Sequence, residues 1–470
     1  MAEPGTDLWR LSAADLAEGY ASRSFSPVEV LESVLARTAQ TNTSLNAIVT
    51  LDAEGARTAA TASEKRWHAG NARGPLDGVP LTVKDNINVR GMRTTWGSRL
   101  YADFVPAVDE LPVARARAAG MVILGKTNVP EFTLHGYTDN ALFGTTRNPW
   151  DLRLTPGGSS GGAVASVAVG MSPLALATDG GGSIRRPASH TGLVGFKPSR
   201  GRVARADGLP QILLDYEVAG VIARTTRDAR LLLEAIALPD ARDPASEPFA
   251  ATPWRVPGRK PCRVLYVPRF GNSPLDPEIE YSAAQASRVF AELGHIVVEA
   301  PVPFDFEAVN EAWPLLGQSG LAALVAPLPR FGELASKRLV DMAAEGSRAT
   351  AADLFHTLAE IAHLRERLGE IFAQYDVMLT PSAAALPWPA HEVYPSTIAG
   401  REAGPRGHAV YTAFVNAAGC AAVSLPCEPS APGLPIGFQL IAPPGHDERL
   451  CVLAGEFEAA APWASRWPPL

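Results

Sequence analysis

Two clusters of glycine and serine lie close together and are the residues best suited to chemistry. They are Gly157-Gly158-Ser159-Ser160 and Gly180-Gly181-Gly182-Ser183, with a run of small apolar residues between them. Glycine is costly to order, so two such clusters need a reason. A serine in a glycine-rich turn presents its hydroxyl beside backbone N–H groups that can hold an oxyanion. We interpret Ser183 as a nucleophile, with Ser159 and Ser160 as its neighbours.

A serine hydroxyl is a weak nucleophile and needs a base. The nearest histidine is His190, but no G-x-S-x-G pattern surrounds Ser183. Lys84 offers a second route, because it ends an apolar stretch and is followed by Asp85 and Asn86. A lysine desolvated there would have its charged form disfavoured and could act as a neutral base. The glycine and serine clusters downstream favour Lys84.

The elements around these residues alternate between strand and helix. Residues 81–83 and 122–124 are apolar enough for strands, and 112–119 reads as the helix between them. This order predicts an α/β sheet covered by helices. A helix over 161–169 would begin at the first serine cluster, where its first N–H groups have no partner within the helix.

The rest of the chain predicts one domain over 1–470, with a mostly helical block at 306–372 lying as an insertion over one face of the sheet. Six prolines make 239–261 the best candidate for a long surface connection. A helix from Pro27 through Arg37 should start with a capping box between Ser26 and Glu29. Further helices are predicted at 12–21, 53–67 and 277–293, and strands at 45–51, 263–267, 296–299, 376–380, 422–425 and 436–441.

Composition narrows the function classes. The chain is 46% hydrophobic and 19% charged with a net charge of −7, so it has material for a core and no electrostatic reason to bind nucleic acid or an anionic membrane. The start, MAEPGTDLWR, does not read as a signal peptide. The four cysteines include no C-x-x-C pair and the nine histidines no metal-ligand spacing. We therefore expect a cytoplasmic protein without a membrane span, metal or organic cofactor.

Several stretches together resemble the amidase signature family, although any one alone would be weak. The resemblance covers nearly the whole chain and is densest at about 75–200. The strongest matches are GVPLTVKDN (78–86), GKTNVPEF (125–132), GTTRNPWD (144–151), TPGGSSGG (155–162) and TDGGGSIRRPA with GLVGFKP (178–198), and the weaker ones are YDVMLTP (375–381) and SLPC followed by GLPIGFQL (424–440).

The resemblance implies a three-layer α/β/α fold with a mixed central β-sheet and a Ser–cis-Ser–Lys triad. Lys84 matches the lysine, Ser159 the cis-peptide serine and Ser183 the acylated serine, with separations of 159 − 84 = 75 and 183 − 159 = 24 residues that match the family. The residues alone do not choose Ser159 over Ser160. The implied reaction is hydrolysis of a carboxamide through an acyl-enzyme on Ser183, with Ser159 relaying protons to Lys84.

The same resemblance assigns supporting residues. Backbone N–H groups of Gly180, Gly181, Gly182 and Ser183 would hold the oxyanion, and Gly180 stands where the family usually has threonine, which would widen the space beside Ser183. We expect structural roles for three neighbours of the site, Ser160, Asp179 and Arg185.

The substrate is expected to be a small amide in a mainly apolar pocket. Its walls are predicted to come from the helices of 306–372 and the loop 381–395, which contributes Leu386, Trp388 and Tyr394. The sequence names no particular amide and leaves the oligomeric state open, a homodimer included.

Three other functions compete. The family includes the glutaminase subunit of tRNA-dependent amidotransferases, but Ala409 stands where those chains carry an aspartate, and no R-x-I-x-L-G-T stretch occurs at 320–350. Esterase or transacylase chemistry could use the same triad. The glycine loops could bind the phosphate of a nucleotide, but neither has the G-x-x-x-x-G-K-[ST] or G-x-G-x-x-G pattern.

Overall fold

A computed structural model describes residues 7–470. Within them the chain forms thirteen strands, eleven of them in one sheet. The strands are β1 (Ile48–Leu51), β2 (Pro80–Lys84), β3 (Val122–Thr127), β4 (Leu174–Asp179), β5 (Val194–Lys197), β6 (Val218–Ala223), β7 (Arg263–Tyr266), β8 (Ile296–Glu299), β9 (Val377–Pro381), β10 (Thr397–Ile398), β11 (Arg401–Glu402), β12 (Ala421–Pro426) and β13 (Gly437–Ala442).

Fourteen α-helices accompany the strands in the described residues. They are α1 (Ala13–Ser22), α2 (Pro27–Leu45), α3 (Ala53–His68), α4 (Leu111–Ala118), α5 (Gly161–Ala168), α6 (Arg185–Thr191), α7 (Thr226–Ile236), α8 (Pro277–Glu292), α9 (Phe306–Val325), α10 (Phe331–Leu334), α11 (Lys337–Arg348), α12 (Ala351–Phe372), α13 (Ala413–Ala418) and α14 (Asp447–Ala460). No helix of residues 7–470 is long and apolar enough to cross a bilayer.

The main sheet has the strand order β1-β3-β2-β4-β6-β5-β12-β13-β9-β7-β8. β2 runs parallel to β3 and β4, and β7 runs parallel to β8 and β9. The remaining neighbours, including the central run from β6 to β13, are antiparallel. The predicted α/β fold with a mixed central sheet and surrounding helices is confirmed.

The strands at the centre of the main sheet lie in the core of the protein. β2, β4 and β6 are buried at every residue, as expected for strands covered on both faces. The edge strand β8 is exposed or half-buried throughout. In the main sheet β4, β5 and β6 were not predicted from the sequence. β4 was missed because it follows α5 in a run of mostly small apolar residues that shows no strand period.

The start of helix α2 was predicted correctly from the sequence, but its end was not. Ser26 and Glu29 form the expected capping box. The helix continues to Leu45 instead of stopping near Arg37, because the Thr38 and Thr41 hydroxyls donate to carbonyls one turn back and so fit inside a helix.

The helical block predicted at 306–372 forms α9 to α12, with its break between α9 and α10. One buried apolar cluster joins α9 and α11 to aromatic residues of the signature core, among them Trp96 and Phe132. These helices thus stand over the glycine-rich loops. That the whole chain is a single domain remains a prediction.

Candidate active site

The sheet topology brings the two candidate regions together. β2 and β4 are parallel neighbours, with Val83 opposite Leu176. Because their carboxyl ends lie at the same edge of the sheet, Lys84 at the end of β2 lies beside the turn that follows Asp179 at the end of β4. The first serine cluster reaches the same edge, because Ser160 stands at the N-terminus of α5.

Lys84 is fully buried and surrounded by hydroxyl and carbonyl oxygens. Its Nζ lies 2.9 Å from Ser159 Oγ, 3.0 Å from Thr178 O and 3.0 Å from Thr178 Oγ1. Among the described residues it has no carboxylate within ion-pair distance. Burial lowers the pKa of Lys84 to about 7, and the more distant Glu217 and Asp179 only partly oppose that shift. A lysine with this pKa is partly neutral near neutral pH.

The donors and acceptors around Lys84 indicate where the lone pair of its neutral amine points. A neutral lysine has two N–H donors and one lone pair. The Thr178 carbonyl can only accept, so it takes one N–H group of Lys84, and Thr178 Oγ1, which accepts from the Asn86 amide, has a second lone pair that can accept the other. The lone pair is then left for the hydroxyl of Ser159, which can donate to it.

The serine cluster lies directly against the second loop. The Gly158–Ser159 peptide bond is cis. The amide of Ser160 donates to the carbonyl of Ser183 at 3.2 Å, which fixes the two loops to each other. The Ser160 hydroxyl donates to Thr178 O at 3.3 Å and makes no capping hydrogen bond to α5, although Ser160 occupies the N-cap position. It therefore supports the lysine pocket rather than the helix end.

The turn at 180–183 differs in one respect from the predicted oxyanion site. The amide of Gly182 donates to Asp179 Oδ1 at 2.7 Å, so it is not free to bind an oxyanion. Within residues 7–470 the amides of Gly180, Gly181 and Ser183 have no hydrogen-bond partner. The prediction of four donors is wrong for Gly182, because the carboxylate that shapes the turn uses that N–H group itself.

Asp179 and Arg185 form a buried ion pair beneath this turn, with Arg185 Nη2 2.9 Å from Asp179 Oδ1. Burial opposes ionisation of Asp179, but the Arg185 guanidinium and backbone donors hold its pKa well below the usual value. Arg185 also donates to Gln439 Oε1 and Asn416 Oδ1, at 2.9 and 2.6 Å. Through these contacts both residues hold the turn at 180–183 in place, and their structural rather than chemical role remains a prediction.

A cavity of about 860 Å³ opens above Ser183. It is lined by aromatic and aliphatic side chains and by charged side chains of both signs. The lining includes Trp96, Phe132, Leu134, Gly180, Gly181, Ser183, Arg186, Ile212, Leu213, Glu217, Trp313, Arg338, Asp341, Met342, Arg406, His408 and Ala409. The contribution expected from the helices of 306–372 is present, through α9 and α11.

The other predicted wall is only partly right: the loop 381–395 reaches the cavity through Val393, but not through the three residues named from the sequence. Leu386, Trp388 and Tyr394 do not line the cavity. Trp388 is turned into the protein, where its ring lies 4.9 Å from that of His408 and its Nε1 donates to the backbone. Leu386 packs against the main core.

The space expected beside Gly180 is also filled. A Cβ at Gly180 would lie 2.6 Å from Leu213 Cδ1, so the side chain of Leu213 occupies the place of the family's usual threonine. Leu213 comes from the loop before β6, whose approach to the site has no sequence motif.

Comparison with known proteins decides the family. The family model described as Amidase matches residues 29–451. The chain belongs to the amidase signature family. It is 36% identical to a subunit of the glutamyl-tRNA(Gln) amidotransferase of Acidothermus cellulolyticus, over 97% of this chain and 95% of the relative. It is 34% identical to an acylamidase of Rhodococcus erythropolis, over 97% of each.

Solved structures agree with this assignment. A bacterial aryl acylamidase of the amidase signature family superposes with a TM-score of 0.89 and 31% identity, over 98% of this chain and 99% of that one. The predicted enzyme class is therefore confirmed: the protein is a hydrolase acting on carbon–nitrogen bonds other than peptide bonds.

Several residues of this amidase site were not found from the sequence. Thr178, which holds Lys84, immediately precedes Asp179 and could have been noticed as a polar residue ending an apolar strand. Arg186 adjoins Arg185 in the same motif, and a tandem arginine beside one aspartate leaves the second cation without an obvious partner. Trp313, Arg406 and His408 carry no local signal, because only the fold brings them to the cavity.

Proposed function

We propose that this amidase hydrolyses a small carboxamide through an acyl-enzyme on Ser183, with Ser159 as the proton relay and Lys84 as the base. The observation that carries the proposal is the 2.9 Å contact between Lys84 Nζ and Ser159 Oγ in a pocket where no carboxylate of residues 7–470 pairs with the lysine. The pKa of about 7 for Lys84 supports a base that is partly unprotonated under neutral conditions.

In the first half-reaction, Ser183 Oγ attacks the amide carbonyl while its proton passes to Ser159 and the proton of Ser159 passes to Lys84. The carbonyl carbon becomes tetrahedral and its oxygen carries the negative charge. Amides of Gly180, Gly181 and Ser183 are the available donors for that oxygen, and one such donor is typically worth about 3–4 kcal/mol.

The intermediate then collapses and the carbon–nitrogen bond breaks. The proton held on Lys84 returns through Ser159 to the departing nitrogen, which leaves as ammonia or an amine. Water attacks the acyl-enzyme by the same route in reverse, releasing a carboxylate and restoring Ser183. The buried setting of Lys84 favours this cycle, because returning to the neutral amine is easy for a desolvated lysine.

The cavity supports an amide with an apolar portion. Trp96, Phe132 and Trp313 line it together with Ile212 and Leu213. Its volume of about 860 Å³ lies within the range for drug-sized ligands and exceeds the needs of a simple aliphatic amide. The acylamidase and aryl acylamidase relatives support an acyl or aryl amide as substrate.

The proposal is tested by replacing the nucleophile. Ser183→Ala should abolish turnover of a panel of primary and N-substituted amides, and should abolish labelling by a fluorophosphonate. Mass spectrometry of the wild-type protein should detect the acyl-enzyme. Ser347→Ala, on the exposed side of α11, is the matched control and should label normally. Labelling that survives in Ser183→Ala would show that another serine is the nucleophile.

Glutaminase activity is a second candidate because of the amidotransferase relative. Against it, Ala409 lines the cavity at the position where an aspartate was expected, so that position offers no anion for the ammonium group of glutamine. We expect weak turnover of L-glutamine compared with a neutral amide of the same length, with or without amidotransferase partner proteins. Strong stimulation by such partners would favour the glutaminase function. Esters are expected as side substrates of the same acyl-enzyme route.

A further inference from the structure

Arg186 is a buried cation that the catalytic scheme does not use. It follows Ser183 by three residues, and both side chains line the cavity. Arg186 is 7% exposed, and within residues 7–470 its guanidinium makes no ion pair and no hydrogen bond. Its Nε is fully enclosed without a partner. A buried guanidinium without a partner is costly, so its presence at a substrate cavity needs a reason.

Two further groups face the same part of the cavity. Arg406 is half-buried, and its Nε is also enclosed without a hydrogen-bond partner in the described chain. His408 is buried and neither of its ring nitrogens has a partner. Burial, and after it the charges of the two arginines, lowers the pKa of His408. The ring is therefore neutral and keeps one N–H group to donate. The three side chains together offer many donors and no negative charge.

The acidic side chains near the cavity are already engaged elsewhere. Asp179 is paired with Arg185, and Glu217 with Arg205 at 3.0 Å. Asp341 is paired with Lys337 across one turn of α11.

Glu345, the remaining acidic residue of the cavity, accepts from Gln318 at 2.6 Å.

Burial, and after it the nearby Arg406, lowers the pKa of Arg186 to about 9, which still leaves Arg186 charged at neutral pH. Within the described residues 7–470, therefore, no carboxylate is placed as a counter-ion for Arg186 or Arg406.

We propose that Arg186 and Arg406, with His408, form a subsite for an anionic group of the substrate, a carboxylate in the first instance. The inference rests on the proposed amide hydrolysis at Ser183 and adds the substrate class: amides that carry a carboxylate a few bonds from the scissile carbonyl. A planar guanidinium can bind a carboxylate through two parallel hydrogen bonds, here from the terminal Nη1 and Nη2 groups of Arg186, which have no partner within residues 7–470.

The test compares pairs of amides of equal chain length in which a terminal carboxylate replaces a methyl group. Succinamate, glutaramate and adipamate are compared with butyramide, valeramide and hexanamide. For the best length, we expect kcat/KM of the anionic member to exceed that of its neutral partner about 10- to 100-fold, as for a charge-assisted hydrogen bond in a buried site. Equal values across all three pairs would overturn the inference.

Variants test whether the preference for anionic amides arises at Arg186 and Arg406. Arg186→Met should reduce the ratio of anionic to neutral kcat/KM about tenfold or more, chiefly through KM. Arg406→Gln should reduce it by a smaller factor and provides a second readout if Arg186→Met fails to fold. Arg348→Met, on the exposed end of α11, is the matched control and should leave the ratio unchanged. A ratio that survives in both cavity variants would contradict the subsite.

A binding measurement separates this inference from the catalytic proposal. Ser183→Ala enzyme should bind the preferred acid amide in calorimetry, and adding Arg186→Met should weaken that binding about tenfold. If Ser183→Ala still turned over amides, the catalytic proposal would fail. If turnover depended on Ser183 but the charged and neutral amides bound equally, only the anionic subsite would fail.

Discussion

Two buried lysines on neighbouring strands of the sheet have opposite surroundings. Lys84 ends β2, and Lys126 lies in β3 opposite Val83. Both side chains are fully buried, and in both cases burial lowers the pKa. Lys126 has Asp85 at 3.2 Å and donates to Ile87 O and Thr94 Oγ1, at 2.8 and 2.7 Å. Lys84 is surrounded by hydroxyls and a carbonyl, and no carboxylate of residues 7–470 lies at ion-pair distance from it.

The difference lies in which protonation state the surroundings satisfy. Three acceptors around Lys126, one of them a carboxylate, suit an ammonium group with three donors. Around Lys84 only Thr178 O must accept, and the Ser159 hydroxyl can donate as well as accept. Burial alone therefore does not make a base.

Lys197 is also fully buried, with its Nζ on Pro198 O and no ion pair within residues 7–470, so the absence of a carboxylate does not make a base either. We propose that Lys84 differs in also having the Ser159 hydroxyl, which can donate to its neutral amine. Removing Lys84 or Lys126 should therefore have different consequences.

The largest expected effect is on catalysis. Lys84→Met should lower kcat/KM for a good amide about 10³-fold or more, because a general base typically contributes about 10²- to 10⁴-fold. Its free energy of unfolding should change by less than about 1 kcal/mol, because Ser160 still donates to Thr178 O and Asn86 still donates to Thr178 Oγ1. Steady-state kinetics and urea unfolding measure both. Near-normal turnover would exclude Lys84 as the base.

Lys126→Met should give the opposite pattern. The change leaves Asp85 buried without its cation, which typically costs about 3–5 kcal/mol. Urea unfolding should reveal this loss, while the folded fraction should keep its reactivity toward a fluorophosphonate at Ser183. A second change, Asp85→Asn, should recover part of the stability, because the unpaired charge is then gone. A Lys126→Met protein as stable as the wild type would contradict a structural role for the Lys126–Asp85 pair.

The pH dependence tests the same difference in the unmodified enzyme. With a pKa of about 7, Lys84 is increasingly protonated as the pH falls, and a protonated amine has no lone pair to accept the relayed proton. We expect kcat/KM to fall about tenfold per pH unit below about pH 7 and to level off above it. Circular dichroism over the same range controls for unfolding. A flat profile down to about pH 5 would contradict a lysine base.

The two lysines also illustrate what the sequence could predict. Lys84 and Ser183 could be proposed from the sequence because each stands in a short motif of consecutive residues, and their catalytic roles remain predictions. The capping box at Ser26 was found for the same reason. Such features are local, so residue type and spacing suffice. The end of α2 and the strands β4 and β6 were missed, because burial and side-chain-to-backbone bonds overrode the local pattern there.

The cavity wall could not be predicted in this way. Phe132, Leu213, Trp313 and His408 come from four segments that meet only in the folded chain. The sequence analysis chose aromatic and aliphatic residues of one loop instead, and Trp388 of that loop points away from the cavity, against His408. Apolar side chains in a loop near a site serve the core as readily as the substrate. Composition does not distinguish the two uses.

The smallest expected effect is on KM, and it distinguishes the cavity wall predicted from the sequence from the wall seen in the structure. Leu213→Ala should raise KM for an aromatic or aliphatic amide about five- to tenfold, because an apolar contact worth about 1–1.5 kcal/mol is removed from the cavity. The same change opens the space beside Gly180, so bulkier acyl groups should lose least. Tyr394→Ala, outside the cavity, should change KM less than twofold. If Tyr394→Ala altered selectivity and Leu213→Ala did not, the wall at 381–395 that the sequence favoured would be the substrate-binding one after all.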